Sequence, residues 1–165
     1  MSRRPNRSIL VVDDEQDTIS TFEAGLRTGG YSVVSFTSAQ EALDYLALHP
    51  SEFDLVISDV RMPFLDGIGF AKSVRRYLPE LRIVLVTAFE YEREHVESLG
   101  ISEIARKPLS MPQLLAIAAR HSTRSEKILD RIYRCRRCGS LFLFVSDVED
   151  HKQMKEHLDF QELVF

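Results

Sequence analysis

Residues 8–15 read SILVVDDE, four consecutive aliphatic residues followed at once by three carboxylates. A short apolar run of this kind is a buried strand, and the acids behind it mark the point where the chain leaves the core. The same β-rich signature returns as YSVVSF (31–36), DLVIS (54–58), RIVLVT (82–87) and SEIA (102–105), with segments of helical period between. Alternation of this type predicts an α/β fold, a doubly wound five-stranded parallel sheet with helices on both faces.

The helical segments carry their own boundaries. Ile19, Phe22 and Leu26 recur at helical spacing before Gly29-Gly30 supplies a stop. Phe70, Ala71, Val74 and Leu78 form a second apolar stripe. Ser38 with Glu41, and Ser110 with Gln113 and Pro112 in the first turn, read as capping boxes.

At 165 residues and 44% hydrophobic, the chain supports one full core and a small appendage. Its net charge of -4 excludes a design as an overall polyanion binder. No apolar run approaches the ~18 residues of a membrane span, and ILVV is too short for a signal-peptide core. The expectation is a soluble, cytoplasmic protein with no membrane partner. Cys135 and Cys138, the two cysteines, stand at C-x2-C spacing, which in a reducing compartment points to a metal or a redox pair.

Polar residues fall repeatedly at the carboxyl ends of the strands, where ligands of such sheets sit. Asp13, Asp14 and Glu15 follow the first strand, Asp59 the third, Thr87 closes the fourth, and Lys107-Pro108 follows the fifth. Carboxylates gathered in one crevice repel one another unless a cation neutralises them. Oxygen donors of this kind suit Mg2+, and a lysine and a hydroxyl beside them suit a phosphoryl group. The chemistry indicated is phosphorylation of a carboxylate.

The stretches VVDDE, SDVRMPFLDGIGF, VLVTAF and ARKP occur in order at four strand ends, and with them residues 7–121 resemble a response regulator receiver domain, the phosphoacceptor of two-component signalling. The resemblance implies a flavodoxin-like fold and a sensor histidine kinase as phosphodonor. It implies Asp59 as phosphoacceptor, Asp14 as a direct Mg2+ ligand, Asp13 acting largely through water, and the Arg61 carbonyl as a further ligand. Thr87 would bind a phosphoryl oxygen and Lys107 would pair with its charge. It also implies a cis bond after Lys107, a loop shaped by Met62-Pro63 and Gly67, and tuning of phosphoryl lifetime at Arg61 and Phe89. One position departs from the family: three residues before the lysine, where an aromatic residue usually reads out the switch, this chain has Ile104.

The C-terminal part carries a second constellation. Cys135-x2-Cys138, twelve intervening residues, His151, five more and His157 have the spacing of a tetrahedral Zn2+ site. Tyr133, Phe142 and Val148 match the small apolar core of a C2H2 zinc finger, which this segment resembles, and Ser146 with Glu149 reads as the cap of its helix. Histidines six apart lie about 120° from a common face, so the helix must distort or end between them. A segment this small cannot bury enough surface alone, so the metal would be structural. His49, His95 and His121 have no matching partners and read as surface residues.

The expected organisation is a receiver over 1–121, a basic linker helix over 122–132, and a zinc-stabilised ββα module with an apolar tail over 133–165. Arg124, Lys127, Arg131, Arg134, Arg136 and Arg137 make the joint basic, and Ile128, Leu129 and Ile132 give it an apolar stripe able to pair two chains in a phosphorylation-dependent homodimer. A DNA-reading finger would present Phe144, Asp147 and Asp150 to the bases, and two of these are acidic. The favoured output is therefore a protein partner, with DNA binding through the basic joint as the alternative.

Overall fold

The computed structural model describes residues 7–91, 93–122, 128–144, 148, 151–153 and 155–163. Strands β1 (Ser8–Val12), β2 (Ser32–Phe36), β3 (Leu55–Asp59), β4 (Arg82–Thr87) and β5 (Glu103–Arg106) form one parallel sheet in the order β2-β1-β3-β4-β5. Side chains alternate across it, as the pleat requires. Ile9, Val11, Leu55, Ile57, Val84 and Val86 face a core closed by α1 (Gln16–Thr28) and α5 (Met111–Ser122). Leu10, Val12, Val56, Ile83 and Leu85 face the opposite core, closed by α2 (Ala39–Leu48), α3 (Gly67–Tyr77) and α4 (Arg93–Ser98). The five strands lie where the sequence patterning places them.

Local signals act as read. The Ser38 hydroxyl accepts from the Glu41 N–H at 3.4 Å to start α2. At α5 the box is reciprocal: the Gln113 N–H donates to Ser110 Oγ at 3.3 Å and the Ser110 N–H to Gln113 Oε1 at 2.9 Å. Gly30, at φ 89°, turns the chain out of α1 in a conformation that only glycine adopts without cost.

The C-terminal part departs from expectation. The linker helix expected over 122–132 is corrected, because Ile128–Cys135 is a strand, β6, while residues 123–127 lie outside those described. Ile128 and Ile132 are β-branched residues whose spacing fits a strand face as well as a helix, and short apolar runs do not separate the two. β6 pairs antiparallel with β7 (Leu141–Phe144), the expected hairpin. The apolar tail forms a further strand: β8 (Phe160–Leu163) pairs antiparallel with the other edge of β6, giving the order β7-β6-β8. The expected ββα unit is thus ββα with a third strand.

This small sheet has two different faces. Pairing of Ile132 with Leu163 and Arg134 with Leu141 sets these residues on one side, where Ile132, Leu141 and Leu163 join the α1–α5 core. Tyr133 with Phe142, and Cys135 with Phe160, set the other side toward the His151 ring. The appendage therefore sits on α5 through one face and builds its polar cluster on the other.

Candidate functional site

The crevice at the carboxyl ends of β1, β3 and β5 brings Asp13, Asp14 and Asp59 together, with one oxygen from each within 4.8 Å of the others. Asp13 is buried, and its Oδ1 accepts the Glu15 N–H at 2.9 Å where the chain turns into α1. Asp59 ends β3, and its Oδ1 accepts the Val60 N–H at 2.9 Å. Lys107 Nζ lies 2.8 Å from Asp13 Oδ2 and 3.4 Å from Asp59 Oδ1. The peptide bond between Lys107 and Pro108 is cis.

The electrostatics follow from this crowding. Burial raises the Asp59 carboxyl above its ordinary range and Asp13 adds to the rise, while Lys107 and the Val60 N–H oppose it. Burial depresses the Lys107 ammonium, but its bonds to Asp13 and the charge of both aspartates outweigh this and raise it. A cation placed among three hard oxygen donors would relieve the repulsion. The donor set fits Mg2+.

Thr87 is buried at the end of β4, and its Oγ1 accepts the Phe89 N–H at 3.1 Å. Gly67 permits the loop after β3 to close. Its N–H donates to the Val60 carbonyl at 2.7 Å, and a Cβ there would stand 2.1 Å from the Asp59 carbonyl oxygen. Ile104 is half-buried against the α2–α4 core. Sequence alone missed a contact across the mouth of the crevice: the Arg61 guanidinium stacks 3.6 Å over the Phe89 ring.

The second cluster joins Cys135, Cys138, His151 and His157, with one ligand atom of each within 4.8 Å of all the others. Cys135 Sγ lies 3.5 Å from His157 Nδ1, Cys138 Sγ 3.4 Å from His151 Nε2, and the two imidazole nitrogens 3.1 Å apart. The hairpin positions the thiols: Gly139 at φ 77° turns the chain, and its N–H donates to the Cys135 carbonyl at 2.8 Å. Hydrogen bonding by Ser140, side chain first and then backbone, and by His157 and Cys135 draws the Cys138 thiol down to about 6. Two thiols and two imidazoles at this separation fit a closed tetrahedral Zn2+ site.

The expected problem of histidines six residues apart is resolved by the backbone. Residues 151–153 and 155 are helical, Glu156 takes φ 54°, and His157 follows outside the helix. Phe142 lies 4.8 Å from the His151 ring and 5.7 Å from the Phe160 ring, so the expected finger core gains a further aromatic residue from the tail. The cap Ser146/Glu149 and the acids Asp147 and Asp150 lie outside the described residues.

One surface assignment is corrected. His121 is half-buried, and its Nε2 lies 2.6 Å from Glu103 Oε2. Arg120 donates to both oxygens of the same carboxylate at 2.8 and 3.0 Å. Burial opposes ionisation of Glu103, but its bonds to His121 and Arg120 and their charge hold it below the usual carboxylate range. Residues 17 and 18 positions apart in sequence gave no pattern from which to read this contact.

The comparisons with known proteins agree over the first two thirds of the chain. A family model, the response regulator receiver domain, matches residues 9–119. The transcriptional regulatory protein ZraR of Escherichia coli K12 is 35% identical over 113 residues, 67% of this chain and 25% of that protein. The alkaline phosphatase synthesis transcriptional regulatory protein PhoP of Bacillus subtilis is 32% identical over 123 residues, 73% of this chain and 50% of that protein. The chain thus spans between a quarter and a half of these relatives. The chemotaxis protein CheY4 of Vibrio cholerae superposes with a TM-score of 0.65 at 28% identity, covering 71% of this chain and 99% of that one. With the parallel sheet, the acid crevice and the matched model in agreement, the chain belongs to the response regulator receiver family, whose members are signalling proteins and not enzymes.

Proposed function

We propose that the chain is a two-component response regulator phosphorylated on Asp59 by a sensor histidine kinase, and that its phosphoryl state controls a zinc-held interaction surface. The observation that carries this is Lys107 Nζ lying within 3.4 Å of Asp59 and bonded to Asp13 at the sheet's carboxyl edge. An Asp59 carboxylate oxygen forms the O–P bond as the donor's N–P bond breaks, and Lys107 pairs with the charge delivered. Thr87 donates its hydroxyl to a phosphoryl oxygen. Asp14, Asp59 and the Arg61 carbonyl would hold Mg2+, with Asp13 acting largely through water; when bound, the ion would supply positive charge against the negative charge gathered on the transferring group.

Cys135, Cys138, His151 and His157 would hold Zn2+ with no open position, which makes it a structural ion. The favoured partner is a protein. β6 and β7 pack against α5, so the surface presented adjoins the receiver. The DNA-binding reading is favoured by exposed Arg134, Arg136 and Arg137 on the hairpin, and by the names of the transcriptional relatives. Among the described residues no helix is long and apolar enough to cross a membrane, in keeping with a cytoplasmic site of action.

The test is labelling with radiolabelled acetyl phosphate in the presence of Mg2+. Label should appear in the wild type and vanish with EDTA or in Asp59→Asn; persistent label in that variant refutes the assignment. A duplex-DNA titration decides the output: steep salt dependence would establish the DNA reading in place of the protein partner.

A further inference from the structure

The two sites are joined by a specific set of contacts. β5 is a strand of four residues at the edge of the sheet, paired among the described residues with β4. Lys107 follows its last residue, and Glu103 is its first. Glu103 binds Arg120 and His121 in the last turn of α5, and Arg82, at the start of β4, donates to the carbonyls of both at 3.3 Å. α5 contacts both β6 and β7, and its Ile117, Ala118 and Ala119 share one apolar cluster with Ile132 and Leu141.

Building on the phosphoryl and zinc readings above, we propose that Glu103 couples the two sites by fastening the start of β5 to the end of α5 that carries the Cys/His module. The differential force lies at Lys107. A phosphoryl group on Asp59 adds nearly two negative charges and three acceptor oxygens. It draws the ammonium from Asp13, now 2.8 Å away, toward Asp59, now 3.4 Å away. β5 pairs on one side among the described residues, at the sheet's edge, and yields more readily than the central strands. Its movement reaches the base of the module through the Glu103 carboxylate, so Glu103 is a positioning residue. Linkage requires reciprocity: if a phosphoryl group alters zinc affinity, zinc alters affinity for the phosphoryl mimic by the same factor.

The test is zinc affinity of the full chain by competition with a chromogenic chelator, with and without beryllofluoride and Mg2+. Beryllofluoride should shift the zinc Kd by about fivefold or more in the wild type, the usual lower range of such coupling. Glu103→Gln should bind both ligands yet bring the ratio of the two Kd values to about one. A purely structural role would change both Kd values and leave their ratio alone. Should Glu103→Gln fail to fold, Arg120→Met removes the guanidinium bonds and should lower the ratio as well. A wild-type ratio of one, or an unchanged ratio in the variant that folds, overturns the coupling while leaving both sites standing. Failure of the wild type to bind zinc overturns the zinc reading and the coupling with it.

Discussion

The acid crevice and the Cys/His cluster each gather several metal-binding side chains, yet they are built in opposite ways. The crevice takes its residues from the ends of strands far apart in sequence, and its groups are held in tension: half-buried Asp59 is raised and Lys107 spans two carboxylates. The cluster takes its residues from one hairpin and the segment after it, with its neighbouring nitrogens and sulfurs 3.1 to 3.5 Å apart. A site meant to change charge state needs a scaffold that stands without its ligand. The crevice has that scaffold in two large cores, whereas the appendage shares only one face with the first of them, and on the zinc reading proposed above the metal would supply the rest of its folding energy.

Four variants or treatments sharpen this contrast. The largest effect is expected from zinc removal by chelation or Cys135→Ser, since structural zinc contributes on the order of 10 kcal/mol to finger folding. Amide exchange should accelerate across 128–144 and 160–163 while the five-stranded sheet stays protected; equal protection with and without metal would erase the distinction between the regions. Next is Ile132→Ala at the seam. Loss of this buried side chain should cost about 2–5 kcal/mol in denaturant unfolding, and a cost near zero would mean the appendage is not seated on α5.

Gly67→Ala strikes the crevice instead. Its added Cβ meets the Asp59 backbone, for an expected loss of about 1–3 kcal/mol together with slower labelling by acetyl phosphate. The smallest effect carries an unusual sign. Because Asp59 is raised in the folded chain, its ionised form opposes folding, and this penalty grows as pH rises through the folded value and fades as pH falls. Asp59→Asn should therefore raise the melting temperature slightly at neutral pH without Mg2+. Glu103 has the reverse sign: its depressed value lends stability above its ordinary 4.5, and that support is lost as pH falls through the lower folded value.

The parallel sheet was legible because its strands are short β-rich runs, four of which lead into a polar residue of the crevice, as in Val12-Asp13 and Ser58-Asp59. The cluster was legible because its ligands lie close in sequence. What escaped was long-range or patternless. FQEL at 160–163 has no alternation to mark it as a strand, and becomes one because β6 has a free edge beside it. Ile128 and Ile132 satisfied a helical stripe as readily as a strand face. Arg61 over Phe89, and Glu103 with Arg120 and His121, join residues whose partnership only the folded backbone creates.

The most direct test of the account is amide hydrogen exchange on the zinc-loaded chain, with and without beryllofluoride and Mg2+. Changed protection is expected at the crevice loops and also in β5, the last turn of α5 and β6. Changes confined to the crevice, with β6 untouched, would contradict the claim that the phosphoryl site governs the module.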